Sequence, residues 1–262
     1  MTFATPEPDM SNRELGRVGS PRIMRSGRPK RGVKDKLMTI GWFHFVRLSL
    51  CETTTGAVAR RVQNYFDTKG VVSEHVQSKR WYRYRDGAES PDVNTLRRVE
   101  ELAPGSAIFF QNGPWDLWQV MWRDRDHRWD PGAAEHLFAV RVEEINSNWL
   151  LRAIGMWISR SEVAKMGGAD ALLDGFYDAV HLALSRENLK KPLVELGLWD
   201  CLIAAICERE QENLRFDPVK LVEIEAAALG SGLTDPINAY IADPVKFLLQ
   251  VAMTMPEAER AG

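Results

Sequence analysis

Cysteine is scarce in this chain: Cys51, Cys201 and Cys207 are the only three in 262 residues, and none forms a C-x-x-C pair. Such spacing supplies neither a disulfide framework nor a zinc site, and it suits a reducing cytoplasm. Long apolar runs are missing too, since none approaches the roughly 18 to 20 residues that a membrane-spanning helix needs. No apolar stretch follows the first charges as a secretory signal requires, so the expected location is cytoplasmic, away from membrane. Strand signals are thin; AIFF at 107–110 is the best of them, and it reads equally well as a helical turn. Catalytic signatures are absent: there is no G-x-S-x-G elbow, no P-loop and no G-x-G-x-x-G. His44, His75, His127, His136 and His181 stand singly, never at H-x-x-x-H or H-E-x-x-H spacing. His44 and His181 fall in apolar helical runs, where a hydrogen-bonded core histidine is expected. KMGGAD at 165–170 reads as a helix-terminating glycine pair, and Glu143/Glu144 and Glu208/Glu210/Glu212 as solvated helix faces. The expectation is a protein without enzymatic activity, metal or cofactor.

What is present is the mixture of a globular protein, with 45% apolar and 27% charged residues, enough to bury a core in one or two domains. Charge is unevenly spread. Residues 1–101 hold 19 Lys+Arg against 12 Asp+Glu, a net of +7; residues 102–262 hold 15 against 24, a net of −9. The front of the chain can meet a polyanion, whereas the rear faces solvent or protein.

Periodicity divides the chain into three. Residues 1–36 are rich in Pro, Gly, Ser and Arg, with nine basic and four acidic side chains, and read as a disordered basic arm. From Leu37 the pattern is helical. LMTIGWFHFVRLSL is apolar nearly all round, as a buried helix should be. TTTGAVARRVQNYFDTKG follows, capped by a Thr and ended by Gly70 in a left-handed C′ position. Next come SEHVQSKRWYRYRDG, capped by Ser73, and SPDVNTLRRVEEL, with Val93, Leu96, Val99 and Leu102 on one face. Pro114 starts a helix bearing Trp115, Trp118 and Trp122 on a face that packs between helices. A boundary near residue 126 separates this domain, 37–125, from an acidic helical domain, 126–262. There EEINSNWLLRAIGMWI, DALLDGFYDAVHLALSRE and KPLVELGLWDCLIAAICERE repeat the helical spacing, with Cys201 and Cys207 as small core residues. Asp217, Asp235 and Asp243, each before a Pro, are expected helix caps. The fold class is therefore all-α, and the C-terminal domain is a candidate for self-association or partner binding.

The most specific stretch is SKRWYRYRDGAESP, residues 78–91. On a helical wheel Lys79, Arg80 and Arg83 fall within an arc of about 100°, while Ser78, Trp81, Tyr82 and Arg85 take the other side. Trp81 and Tyr82 are thus expected to anchor a helix whose basic trio points outward. The plain reading is an amphipathic helix with a cationic solvent face. Order adds a second reading. RWYRYRDGAESPDVNTLRRVEEL resembles the end of the lambda-repressor/Cro-like helix-turn-helix family, through Trp81, Gly87, Pro91, Leu96 and Val99. TTGAVARRV is similar to that family's first motif helix, with Ala59 as the small residue at the helix crossing. The resemblance covers residues 53–103 and departs from the family in the longer span from Ala59 to Trp81. It implies that Gln77, Lys79, Arg80 and Arg83 lie at the major groove of double-stranded DNA, with Arg60 and Arg61 bracing its backbone. In the arm, RSGRPKRG resembles the core of an AT-hook through Gly27, Arg28, Pro29 and Lys30, which implies minor-groove contact. A plain solvated tail is the other reading of that segment. The expected function is DNA binding, as a transcriptional regulator or a DNA-bound adaptor. The competing expectation is a helical interaction or assembly protein that touches no nucleic acid.

Overall fold

The first helix, α1 (Val33–Ser49), carries apolar side chains on almost every side, and every side has something to meet. Leu37 and Ile40 enter one hydrophobic core, while Trp42, Phe43 and Val46 enter another. Each such side chain, taken fully out of water, contributes about 1.5–3 kcal/mol before conformational entropy is set against it. The computed structural model describes residues 31–70, 78–122, 141–159 and 170–254 of the chain, and every regular element among them is helical. The all-α class expected from periodicity is the class adopted. No helix among the described residues is long and apolar enough to cross a membrane.

α1 starts at Val33 rather than Leu37, so the basic arm ends sooner than its composition suggests. The reason is Arg31. Its guanidinium donates to the Gly87 carbonyl at 2.6 Å, the Asp35 carbonyl at 3.0 Å, the Thr39 hydroxyl at 3.1 Å and the Ser90 hydroxyl. These bonds tie the first turn of α1 to a loop more than fifty residues away. Residues 1–30, including Arg28 and Lys30, lie outside the described residues.

The first core is closed by α2 (Thr55–Thr68), α3 (Ser78–Arg85), α4 (Val93–Leu102) and α5 (Ser106–Asn112). Thr54 caps α2 by accepting from the Ala57 amide at 3.2 Å, and Gly70 follows its end at φ 65°, both as expected. Asp92 caps α4 by accepting from the Thr95 amide at 2.7 Å. Of the proposed α4 stripe, Val99 is buried and Leu96 and Leu102 are partly buried. Val93 is exposed, because it sits at the first position of the helix, beyond the reach of the core. AIFF is helical within α5. Glu100 settles that local choice: its carboxylate accepts from the Gly105 amide at 2.6 Å and the Ala107 amide at 2.7 Å, holding its own pKa below the ordinary value.

Pro114 does not begin a helix that carries all three tryptophans. A 3-10 turn, Pro114–Asp116, places Trp115 at φ 56°, and only then does α6 (Leu117–Trp122) start. Trp118 and Trp122 pack at 5.3 Å between ring centroids, whereas Trp115 leaves their face. The boundary expected near residue 126 falls among residues 123–140, which lie outside the described residues.

The second core pairs α7 (Ser147–Ile158) with α8 (Asp170–Leu184) and is completed by α9 (Glu187–Glu195), α10 (Trp199–Leu214), α11 (Pro218–Ala227), α12 (Pro236–Ala242) and α13 (Pro244–Thr254). KPLVELGLWDCLIAAICERE is two helices rather than one, because Gly197 at φ 62° turns the chain between α9 and α10. Asp217, Asp235 and Asp243 each accept from an amide of the helix that follows, at 3.1, 3.1 and 3.0 Å. Two polar side chains inside this core find partners within it. The Trp157 indole donates to the buried Glu210 carboxylate at 2.8 Å, and the Tyr177 hydroxyl donates to the Ile241 carbonyl at 2.6 Å. Cys201 and Cys207 are partly buried against this core, as expected.

His181 is buried here, its ring 4.6 Å from that of Tyr177, and its Nε2 has no hydrogen-bond partner among the described residues. Burial lowers its pKa from 6.5 to about 4, although Asp243 acts in the opposite direction. The unfolded chain therefore takes up a proton between pH 6.5 and 4 that the folded chain refuses, and stability falls as pH falls through that window. Melting temperature should drop on acidification from pH 6.5 to 4.5, and drop less steeply in His181→Asn. Parallel curves for the two proteins would show that His181 is not the titrating group.

Candidate nucleic-acid interface

α3, described from Ser78 to Arg85, has a strongly polar sequence, SKRWYRYR, and its place in the fold rests on tertiary support. That support is aromatic. Trp81 and Tyr84, three residues apart, are both buried. The Trp81 ring stacks on Trp42 of α1 at 5.9 Å and 15°, and the Tyr84 ring meets Trp42 edge-on at 5.5 Å. Trp81 and Tyr84 also meet each other edge-on at 5.7 Å. Edge and offset contacts of this kind each add about 0.5–1.5 kcal/mol beyond area burial.

This packing corrects the expected anchor. Tyr84, not Tyr82, is the partner of Trp81, and Tyr82 is 43% exposed. With Trp81 and Tyr84 turned inward, the outward arc of the wheel is occupied in order by Arg85, Tyr82, Lys79 and Arg83. Arg80 falls at its rim. The distances agree with that placement. Arg80 is 23% exposed and pairs with Glu89 at 2.8 Å and Asp92 at 3.3 Å. Arg83 is 67% exposed and shares Glu89 at 3.3 Å. Lys79 is exposed. Arg85 lies over the Tyr82 ring at 5.1 Å and pairs with Asp86 at 2.7 Å. Of the expected trio, then, two members are drawn towards one carboxylate in the loop after the helix. That loop belongs to the basic half of the chain, not to its acidic half.

Gly87 makes the loop possible. It lies at φ 67°, and a Cβ there would stand 2.6 Å from Lys36 Cγ and 3.1 Å from the Lys36 carbonyl oxygen. Only glycine satisfies both the left-handed backbone and the close approach to α1. The chain then reverses, Glu89 returns beneath Arg80 and Arg83, and Asp92 caps α4. Nothing in residue spacing announces this return, because it depends on the turn rather than on a helical period.

On α2, Arg60 and Arg61 are both exposed. A Cβ added to Gly56 would lie 3.7 Å from Arg60 Nη1 and 3.8 Å from the Tyr82 hydroxyl. Both are ordinary contact distances, so a side chain at Gly56 would fit, and the Arg60 guanidinium and the Tyr82 hydroxyl each lie beside Gly56 at the α2–α3 contact. α2 ends at Thr68, and α3 is described from Ser78 onward. Gln77 and the expected cap Ser73 lie outside the described residues, as do Arg28 and Lys30. Residue spacing placed Tyr82 and Arg85 on the side of α3 opposite the basic trio; both are exposed.

Further along α1, His44 accepts from the Arg47 guanidinium at 3.2 Å. Burial first, and the charges of Arg47 and Arg85 next, lower its pKa from 6.5 to about 4, so at neutral pH it adds no charge to this region.

The two tyrosines distinguish the packing described from the expected one. Tyr84→Ala should cost about 3–5 kcal/mol in urea denaturation, by analogy with other large buried aromatics, whereas Tyr82→Ala should cost less than about 1 kcal/mol. Similar losses for both would place both rings in the core. Comparison of the chain with protein-family models, curated proteins and solved structures finds no match.

Proposed function

We propose that the chain binds double-stranded DNA through the outward faces of α2 and α3. The observation that supports this reading is the exposure of Arg60 and Arg61 on α2 and of Lys79, Tyr82 and Arg83 on α3, two helices in contact. Cations spaced along a face draw a phosphate backbone, and counterion release makes their contribution sequence-independent. Tyr82 adds a hydroxyl that hydrogen-bonds phosphate or a base edge. Arg80, held by Glu89 and Asp92, positions the loop and leaves DNA contact to its neighbours. A role as transcriptional regulator or DNA-bound adaptor follows from the same contact.

The pairing of Arg80 and Arg83 with Glu89 favours a second reading, in which the cations serve internal packing and the chain is an assembly protein. Salt separates the two. Affinity for a duplex, followed by fluorescence anisotropy, should fall with salt at a log–log slope of about −3 to −4 if roughly four phosphates are neutralised. Replacing Arg60, Arg61, Lys79 and Arg83 together by Gln should flatten that slope by about 3 while leaving the melting temperature within a few degrees. Glu89→Gln should tighten binding, since it releases Arg83. No salt-dependent binding in the parent protein would leave the assembly reading standing.

A further inference from the structure

A groove of about 320 Å³ opens where α1, α5, the 3-10 turn and α9 meet. Rings make most of its wall. Phe45 of α1 and Phe109 of α5 stack at 4.5 Å and 23°, and Trp115 and Pro192 line the groove with them. Leu48 and Glu195, both exposed, complete the lining used below. Two of these residues stand where local chemistry disfavours them. Trp115 lies at φ 56° and Asp116 beside it at φ 67°, a left-handed pair without a glycine. Pro192 lies inside α9, where it gives up the amide that would bond back to the Asn188 carbonyl. The strained turn is fastened in place: Asn112 donates to the Asp116 carboxylate at 2.9 Å, and Gln119 donates to the Asn112 side-chain carbonyl at 3.0 Å. Trp115 nevertheless stays only partly buried, so the core draws little return from its conformation. Strain of this kind persists mainly where a surface contacts a ligand.

Polar groups define the occupant. The Trp115 indole N–H has no acceptor among the described residues, and the Glu195 carboxylate has no ion pair among them. The Arg47 guanidinium is committed elsewhere, to the Glu195 and Glu52 carbonyls and to His44. Backbone acceptors along the groove are engaged as well: the Phe109 carbonyl by the Gly113 amide at 2.8 Å, and the Pro192 carbonyl by the Leu196 amide at 3.0 Å. The groove therefore offers a donor and an anion but few acceptors, and an added strand, whose own amides need acceptors, gains little there. A proline-rich segment has the complementary needs. Its prolines carry no N–H, its carbonyls are free, and its rings pack on aromatic side chains.

We propose that this groove binds a proline-rich segment of a partner protein in the polyproline II conformation, with an arginine or lysine beside the prolines held by Glu195. The prolines pack against Phe45, Phe109 and Trp115, one peptide carbonyl accepts from the Trp115 indole, and the cation meets the Glu195 carboxylate. Both surfaces are set before they meet, the peptide by its stiff backbone and Trp115 by its fastened turn, so little ordering opposes the contact.

The inference is independent of DNA binding by α2 and α3. Fluorescence anisotropy of a labelled hexaproline peptide ending in arginine, titrated with the full chain, tests it. The parent should bind saturably, and a glycine-serine peptide ending in arginine should not. Trp115→Gly should weaken binding at least about ten-fold, and it should melt no lower than Trp115→Ala, because glycine relieves the left-handed strain. Glu195→Gln should weaken the arginine-bearing peptide about three-fold and leave plain hexaproline unchanged. No saturable binding of the hexaproline-arginine peptide below about 1 mM, or equal affinity in the parent and Trp115→Gly, overturns the site. A glycine-serine peptide that binds as tightly overturns the polyproline occupant and leaves only charge attraction. An equal loss of both hexaproline peptides in Glu195→Gln overturns the cation contact.

Discussion

Trp42 touches more of what matters in this protein than any other side chain described. Its ring receives Trp81 face-on, Tyr84 edge-on, and Phe110 edge-on at 6.4 Å, so two separate elements, α3 and α5, are oriented against one residue of α1. A helix as polar as α3 has little preference of its own for one rotation about its axis. The two aromatic contacts fix that rotation, and every outward-facing residue of α3 follows from it. The cationic row is therefore a by-product of the core: once Trp81 and Tyr84 are inside, Lys79, Tyr82 and Arg83 are outside.

Glu89 then sorts the arginines. It is one-fifth exposed and accepts from both Arg80 and Arg83, but at unequal depth. The Arg80 pair is partly shielded from solvent and is reinforced by Asp92. The Arg83 pair is longer and mostly wet, in the regime where ion pairs contribute about 0–1 kcal/mol. A phosphate competing for Arg83 displaces little, whereas one competing for Arg80 must break a network that also caps α4. Identical residues three positions apart therefore have different roles because of how far each lies from the turn at Gly87.

Much of the fold was legible because it follows local rules. The Thr54 cap, the Gly70 stop and the three Asp-Pro starts are set by groups a few residues apart, and the chain folds as those groups require. The apolar periods of α1, α2, α7 and α8 were readable for the same reason. What escaped the sequence were contacts made across the fold. Arg31 fastens α1 to the Gly87 loop, Glu100 caps α5 from the end of the preceding helix, and Gly197 divides one long apolar pattern into two helices. In the candidate interface, α3 carries three aromatic residues in four positions, and the wheel alone does not choose which two turn inward. Trp42 chooses, and it lies forty residues earlier. Arg60 and Arg61 were singled out by resemblance and both are exposed; the nearness of Arg60 and Tyr82 to the same Gly56 depends on the α2–α3 packing.

α1 gives Leu37 and Ile40 to one core and Trp42, Phe43 and Val46 to the other, so neither core can lose it and remain closed. A helix held in common acts as a mechanical splice: melting either side strips apolar cover from the remaining one. Arg31–Gly262 is accordingly one compact unit, and a shared helix of this kind couples the unfolding of its basic and acidic halves.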